Sequence, residues 1–343
     1  MEADEEGFLY PLINQDLCRD CNECLEVCPI LKEGHFKEEI KPDFYVAKHK
    51  DKDVLKKSTS GGAFTALSDL ILDQGGGVYG VDFDNNFKVM HKRADTYEGR
   101  NRMRISKYVQ SDLGSIFKEL YKDLEDGRKV LFTGTPCQTA GLRGYLGGSP
   151  YIKNLYICDL ICYGIPSPKV WENYKTLLEK EQGGALTDIQ FRSKKVDWNR
   201  DNSNRSFFFQ TSSNDEIHND ERYYKLFFGI KTIMRPACEH CRFTDIYRAS
   251  DITIADYWGI EKYAPEWMDK LGVSVILTNT AKGAKLLYAA KETMDYDKRP
   301  ASESLNEQDR LSKPVLFPDT RDQFWEDYKN KGFEYIINNM DKY

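Results

Sequence analysis

The chain lacks a basic surplus, a long apolar run and a secretory leader, and each absence removes a class of function. Its 49 Lys and Arg residues stand against 55 Asp and Glu, for a net charge of -6 and a pI near 5.6. Nothing in that balance advertises a phosphate backbone as a ligand, so nucleic acid is not an expected partner. No stretch approaches the roughly 20 apolar residues that a membrane-spanning helix needs. The residues Met1 to Glu6 are acidic where a leader begins basic and then apolar, so the expected location is cytoplasmic. No predicted strand-to-helix turn carries a G-x-G-x-x-G fingerprint, which leaves NAD(P)H without local support. A C-x3-C-x2-C run, the mark of radical chemistry, is also missing, as are internal repeats and low-complexity tracts.

What the chain does have is enough apolar and aromatic material to fold and an unusual set of cysteines. The hydrophobic fraction is 40% and the aromatic fraction 13%, with 21 Tyr and 18 Phe in 343 residues. That excludes a disordered chain and suits about two domains. In a reducing compartment the nine cysteines read as metal binding or redox chemistry and not as disulfides.

Four of them form the run Cys18-x2-Cys21-x2-Cys24-x3-Cys28-Pro29. This spacing places thiolates around one tight loop whose amides can face the sulfides of a cubane iron–sulfur cluster. Zinc sites draw more often on two separated C-x2-C pairs. In two-cluster ferredoxins the fourth cysteine of such a run serves the other cluster. Cys28 therefore either closes a local cluster or crosses to a second one with ligands downstream.

Beyond residue 40 short apolar strands alternate with amphipathic helices, which predicts an α/β fold, with α+β as an alternative. The expected organisation is an N-terminal ferredoxin-like iron–sulfur segment (1–40), an α/β domain with flavin-binding loops (41–180) and a smaller, less regular C-terminal domain (181–343) with a C-x2-C knuckle and a helical tail. Cys137 follows the strand Lys129 to Thr133 at a helix start, and Cys162 follows the next strand, Leu155 to Ile161. In a parallel sheet these strand ends lie side by side, at the edge where open α/β folds hold ligands. Cys238 and Cys241 form the knuckle. Each has an ordinary explanation as a core thiol or a zinc half-site. Together with the N-terminal four, however, they make eight, the number two cubanes require, while Cys158 inside an apolar strand reads as core. One cluster with four structural or zinc-binding cysteines is the competing count.

At these positions the chain resembles the coenzyme F420 hydrogenase/dehydrogenase beta-subunit family. The matching pieces run in family order: Cys18 to Pro29, Ser58-Thr-Ser-Gly-Gly-Ala63, Ser106-Lys-Tyr108, Phe132-Thr-Gly-Thr-Pro-Cys-Gln138, Asp159 to Gly164 with Pro166-Ser-Pro168, Cys238 to Cys241, and Asp251 to Gly259. The resemblance implies an oxidoreductase that binds FAD and at least one, more often two, 4Fe-4S clusters. It implies electron transfer between a hydride carrier, a deazaflavin-type coenzyme or small molecule, and ferredoxin or an iron–sulfur partner subunit. Cys18, Cys21, Cys24, Cys28, Cys137, Cys162, Cys238 and Cys241 would be the metal ligands. Thr59, Ser60, Gly61, Gly62, Ser106, Lys107 and Tyr108 would contact the flavin. The glycine-rich helix start could offer amides to a flavin phosphate, and Lys107 a cation to the reduced ring. No residue is singled out as catalytic. Two alternatives stand beside this: a ferredoxin-dependent small-molecule reductase of the hydroxymethyl chlorophyll a reductase type, and a zinc-stabilised scaffold subunit without turnover. A homo-oligomer is compatible with each.

Overall fold

The computed structural model describes residues 1–32 and 40–343. The end of the expected N-terminal segment, 33–39, lies outside them. Eight strands form the main sheet: β1 (Asp43–His49), β2 (Gly77–Phe83), β3 (Val89–Ala94), β4 (Val130–Gly134), β5 (Leu155–Leu160), β6 (Ile252–Asp256), β7 (Ser274–Thr278) and β8 (Met294–Arg299). Their spatial order is β8-β1-β7-β6-β5-β4-β2-β3. The inner run β6-β5-β4-β2 is parallel. β7 pairs antiparallel with both β6 and β1, and β3 and β8 are antiparallel edges. The fold is thus α/β on a mixed sheet, as the alternation of strands and helices predicts. β1 to β5 come from the expected middle segment and β6 to β8 from the C-terminal one, so both segments build the one sheet.

Alternation along the strands fills both faces. Leu131, Cys158, Ile252 and Ile276 pack with Leu67 and Ile71 of the helix Ala63–Leu72. Val130, Phe132, Leu155 and Ile157 pack with Leu120 and Leu124 of the helix Ile116–Glu125, on the other side. A second core is aromatic. Trp171 and Tyr174 from the helix Pro168–Gln182 meet Phe191, Phe207, Tyr223 and Phe324 beneath a three-stranded sheet of 186–190, 208–211 and 218–219. No helix among the described residues is long and apolar enough to cross a membrane.

The N-terminus is tied to this body. A two-stranded hairpin, 2–3 with 9–10, is held by Leu9 N donating to Gln110 Oε1 at 2.9 Å and by Arg235, whose guanidinium sits 4.2 Å from the Tyr10 ring centre. Arg321 pairs with the Glu6 carboxylate, and the Ser167 hydroxyl donates to the Glu6 carbonyl.

The loop from β1 into the helix Ala63–Leu72 crosses β7 closely. A Cβ on Gly61 would stand 2.5 Å from the Ala47 carbonyl oxygen and 2.6 Å from Ser274 N, both backbone atoms that cannot swing away. Gly61→Ala is therefore expected to cost roughly 1–3 kcal/mol of stability, read as a lowered urea midpoint at unchanged m. An unchanged midpoint would mean that the loop is not locked to β7.

Candidate functional site

Cys137, Cys162, Cys238 and Cys241 come together at the carboxyl edge of the parallel strands. Cys137 is the second residue of the helix Pro136–Leu146, which starts directly after β4. Thr135 caps that helix in a reciprocal box with Gln138, and its hydroxyl lies 3.2 Å from Cys137 Sγ. Cys162 follows β5, the parallel neighbour of β4. The knuckle is brought alongside by backbone pairing, because Ser167 N donates to Ile233 O at 2.9 Å and Arg235 N to Ile165 O at 2.8 Å. Gly164 allows this approach: its φ is +150°, and a Cβ there would stand 2.3 Å from Met234 Sδ.

The four thiols feel one another. Burial raises the pKa of Cys162 well above the usual thiol range, and the charges of Cys238, Cys137 and Cys241 raise it further. Cys238 is pushed up to about 12 by burial and then by Cys137 and Cys241. Burial and Cys137 also raise Cys241, against hydrogen bonds from neighbouring amides and the opposing charge of Arg248. Yet among the described residues no three Cys, His, Asp or Glu side chains converge on a point that one ion could occupy. A tetrahedral zinc, with sulfur at about 2.3 Å, would need its thiolates roughly 4 Å apart. Cys158, by contrast, is 1% exposed in the sheet core.

The N-terminal run occupies a separate loop. Cys18, Cys21 and Cys24 are exposed and Cys28 half-buried. Asp20 and Asn22 take left-handed conformations, φ 51° and 59°, which wind the chain tightly between the cysteines before the short helix Glu23–Glu26. Two residues beyond Cys28, the Ile30 carbonyl accepts a 3.0 Å hydrogen bond from Arg242 Nη1, next to Cys241. The end of the run thus abuts the knuckle.

The expected flavin residues divide. Thr59 and Ser106 meet, with the Thr59 hydroxyl accepting from Ser106 N at 2.9 Å and standing 3.2 Å from Ser106 Oγ. Ser60 and Gly61 instead bind protein: the Ser60 hydroxyl donates to Val273 O, and the Gly61 amide donates to Ser274 Oγ. Gly62, at φ +80°, begins the helix Ala63–Leu72 against His49. Lys107 Nζ donates to Arg102 O and Ile105 O and lies 5.4 Å from the Phe83 ring centre, with burial lowering its pKa to about 8. The Tyr108 hydroxyl accepts from Arg192 Nη1 at 3.0 Å.

Around Thr59 the structure adds residues that the sequence did not single out. A shallow surface cleft is lined by Thr59, Arg192, Lys194, Trp198, Asn199 and Asn202, among others. Arg192 bridges Tyr108 to Asp256 at 3.2 Å, Trp198 Nε1 donates to Asp256 at 2.6 Å, and the Trp198 and Trp258 rings stack 5.0 Å apart. Lys194 Nζ donates to the Thr59 carbonyl at 2.7 Å. The only signal in the sequence was the basic cluster Arg192-Ser-Lys-Lys195 next to the apolar Phe191. Aromatic rings fill the space between this cleft and the thiols: Tyr163, adjacent to Cys162, lies 5.2 Å from Phe228, which lies 5.4 Å from Tyr108.

Three comparisons bear on these features. A family model for the carboxy-terminal part of the coenzyme F420 hydrogenase/dehydrogenase beta subunit matches residues 127–304. No curated protein matches the chain. Among solved structures, a chain from a xenon derivative of the F420-reducing [NiFe] hydrogenase complex of Methanosarcina barkeri aligns with a TM-score of 0.52 at 18% identity. The alignment covers 87% of this chain and 95% of that one, a likeness of fold.

Lys194 provides a test of the cleft. Burial, and secondarily the charge of Arg192, lower its pKa from 10.5 to about 7, despite Asp256. The folded protein then binds fewer protons than the unfolded chain between those values, so this lysine makes stability rise as pH climbs from about 7 towards 10.5. Denaturant unfolding of wild type and Lys194→Met across that window should show the wild type gaining on the variant as pH rises; parallel curves would mean a solvated lysine.

Proposed function

Because the chain belongs to the coenzyme F420 hydrogenase/dehydrogenase beta-subunit family, a family of oxidoreductase subunits, we propose that it is an iron–sulfur flavoprotein subunit. Its role is to carry electrons between a hydride-exchanging partner and an iron–sulfur partner. The observation that carries this is the meeting of Cys137, Cys162, Cys238 and Cys241, which come from three distant parts of the sequence to one half-buried set. Four half-buried thiols are a soft donor set suited to an iron–sulfur cluster. Cys18, Cys21, Cys24 and Cys28 would hold a second cluster, close to solvent and so to a partner.

Thr59, Ser106, Lys107 and Tyr108, with Arg192 and Lys194, fit the flavin side. Their two loops meet at the sheet edge, and cationic groups stand beside an open cleft. FAD held there would exchange a hydride with one partner and single electrons with a cluster. The chain's own part is positional. Lys107 and Lys194, lowered to about 8 and about 7, can take up a proton near neutrality as negative charge develops beside them, and the Trp198–Trp258 stack walls the cleft. Tyr163 and Phe228 keep water out of the space between thiols and cleft. The two-electron partner is a deazaflavin-type coenzyme or another small molecule with an anionic group, given the cations. The iron–sulfur partner is a companion subunit, since the structural neighbour belongs to a hydrogenase complex, or ferredoxin.

Purified anaerobically, the protein should be brown, bleach with dithionite and release FAD on denaturation. Cys137→Ser and Cys162→Ser should each remove one cubane's iron, about four atoms per chain. A colourless zinc protein, or variants with full iron, would defeat the proposal. Titrating reduced protein with deazaflavin, NAD(P) and ferredoxin identifies the partner by which oxidant restores the flavin spectrum.

A further inference from the structure

Behind the converging thiols lies a cation that the fold leaves without hydrogen bonds. Arg248 is 2% exposed, seven residues after the knuckle. Its Nε, Nη1 and Nη2 atoms are all buried with no hydrogen-bond partner. Its ion-pair partner is Asp159, 0% exposed, but Nη1 and Asp159 Oδ2 are 3.6 Å apart, too far for a hydrogen bond, and Oδ2 is itself unpartnered. Asp159 spends its other oxygen on the Thr253 hydroxyl at 2.5 Å. A guanidinium has five donors in a planar fork, and burying it with none engaged is a penalty that folded proteins rarely tolerate. Such a group marks a place where something anionic completes the site.

The surroundings indicate which anion. In the register of β5 on β4, Asp159 stands opposite Gly134, at the strand end from which Cys137 follows. Asp159 lies three residues before Cys162, so both halves of this loose pair sit on segments that carry cysteines of the same set. The neighbouring acid Asp251 is already served by Arg143, Lys282 and the Thr280 hydroxyl, so it does not compete for Arg248.

We propose that Arg248 is the internal counter-ion of the cluster held by Cys137, Cys162, Cys238 and Cys241, offering its free N–H groups to that cluster's sulfur atoms. This rests on the cluster reading above. A cubane with four thiolates is anionic, and reduction adds one electron and one further negative charge. A fixed cation beside it favours the reduced form, and net charge and hydrogen bonds to sulfur are the means by which proteins set such potentials. Removing the cation should therefore make the cluster harder to reduce.

The test is a mediated redox titration of the whole protein followed by electron paramagnetic resonance, the relevant signal being the one that Cys162→Ser abolishes. Arg248→Gln removes the charge and leaves a donor; compared with Asp159→Asn alone, Arg248→Met in the Asp159→Asn background removes that one positive charge and leaves no lone buried carboxylate. In whichever of these folds, the ratio of reduced to oxidised cluster at a fixed potential should fall about tenfold or more, a shift of about 59 mV for one electron. Arg248→Lys, which keeps the charge, should recover most of it. Loss of the signal's iron from a variant that still melts cooperatively would support the same role, provided Arg248→Lys keeps its iron. A neutral variant with full iron and an unchanged potential would overturn the proposal and leave the cluster reading intact. A wild-type protein in which Cys162→Ser abolishes no signal would overturn the cluster reading, and the counter-ion with it.

Discussion

Four thiols facing one another in a buried place are an electrostatic problem, and much of the molecule is arranged around it. As thiols they are weak hydrogen-bonding groups that pack like small hydrophobes; as thiolates they repel one another where water screens poorly. Burial, and after it the neighbouring thiols, raise the pKa values of Cys162, Cys238 and Cys241. The site therefore calls for positive charge before it can be anionic. Yet the backbone brings the thiols together regardless, through the capped start of the helix Pro136–Leu146, the parallel register of β4 and β5, and the pairing of 165–167 with 233–235. Groups that would repel when ionised are thus kept close by the backbone.

The sheet explains how one edge can serve two chemistries. Its parallel strands all end on the same side, so loops distant in sequence converge there. The ends of β4 and β5 supply Cys137 and Cys162, while the end of β6 supplies Asp256, which ties Arg192 and Trp198 into the cleft. Between the two zones the aromatic second core reaches forward through Tyr163, Phe228 and Tyr108. Burying these rings stabilises the C-terminal half and also sets the distance between thiols and cleft. One packing decision thus serves stability and site geometry together.

Much of this was legible from the chain. The apolar runs at Val130 and Leu155 announce β4 and β5, and their common direction places Cys137 and Cys162 side by side without any coordinates. The hairpin around Asn85-Asn86 and the terminal helices are equally plain. The role of β7 was not, because an antiparallel strand that joins β6 to β1 depends on long-range pairing that no local pattern encodes. Gly61 shows a second limit. A glycine at a helix start looks like a phosphate cradle, but its amide is taken by Ser274 and its missing side chain by β1 and β7. Arg248 shows a third, since an arginine in a polar stretch gives no hint that its fork is sealed inside.

The anchoring of the N-terminal hairpin has a consequence in time as well as in space. Arg321, which clasps Glu6, is synthesised 315 positions after it. At about 5–20 residues per second, synthesis of that interval takes roughly 16–60 s. Other anchors of the same region, Gln110, Ser167, Arg235 and Arg242, are made earlier in that interval. The N-terminal hairpin thus reaches its full set of anchors only after the last helices are made.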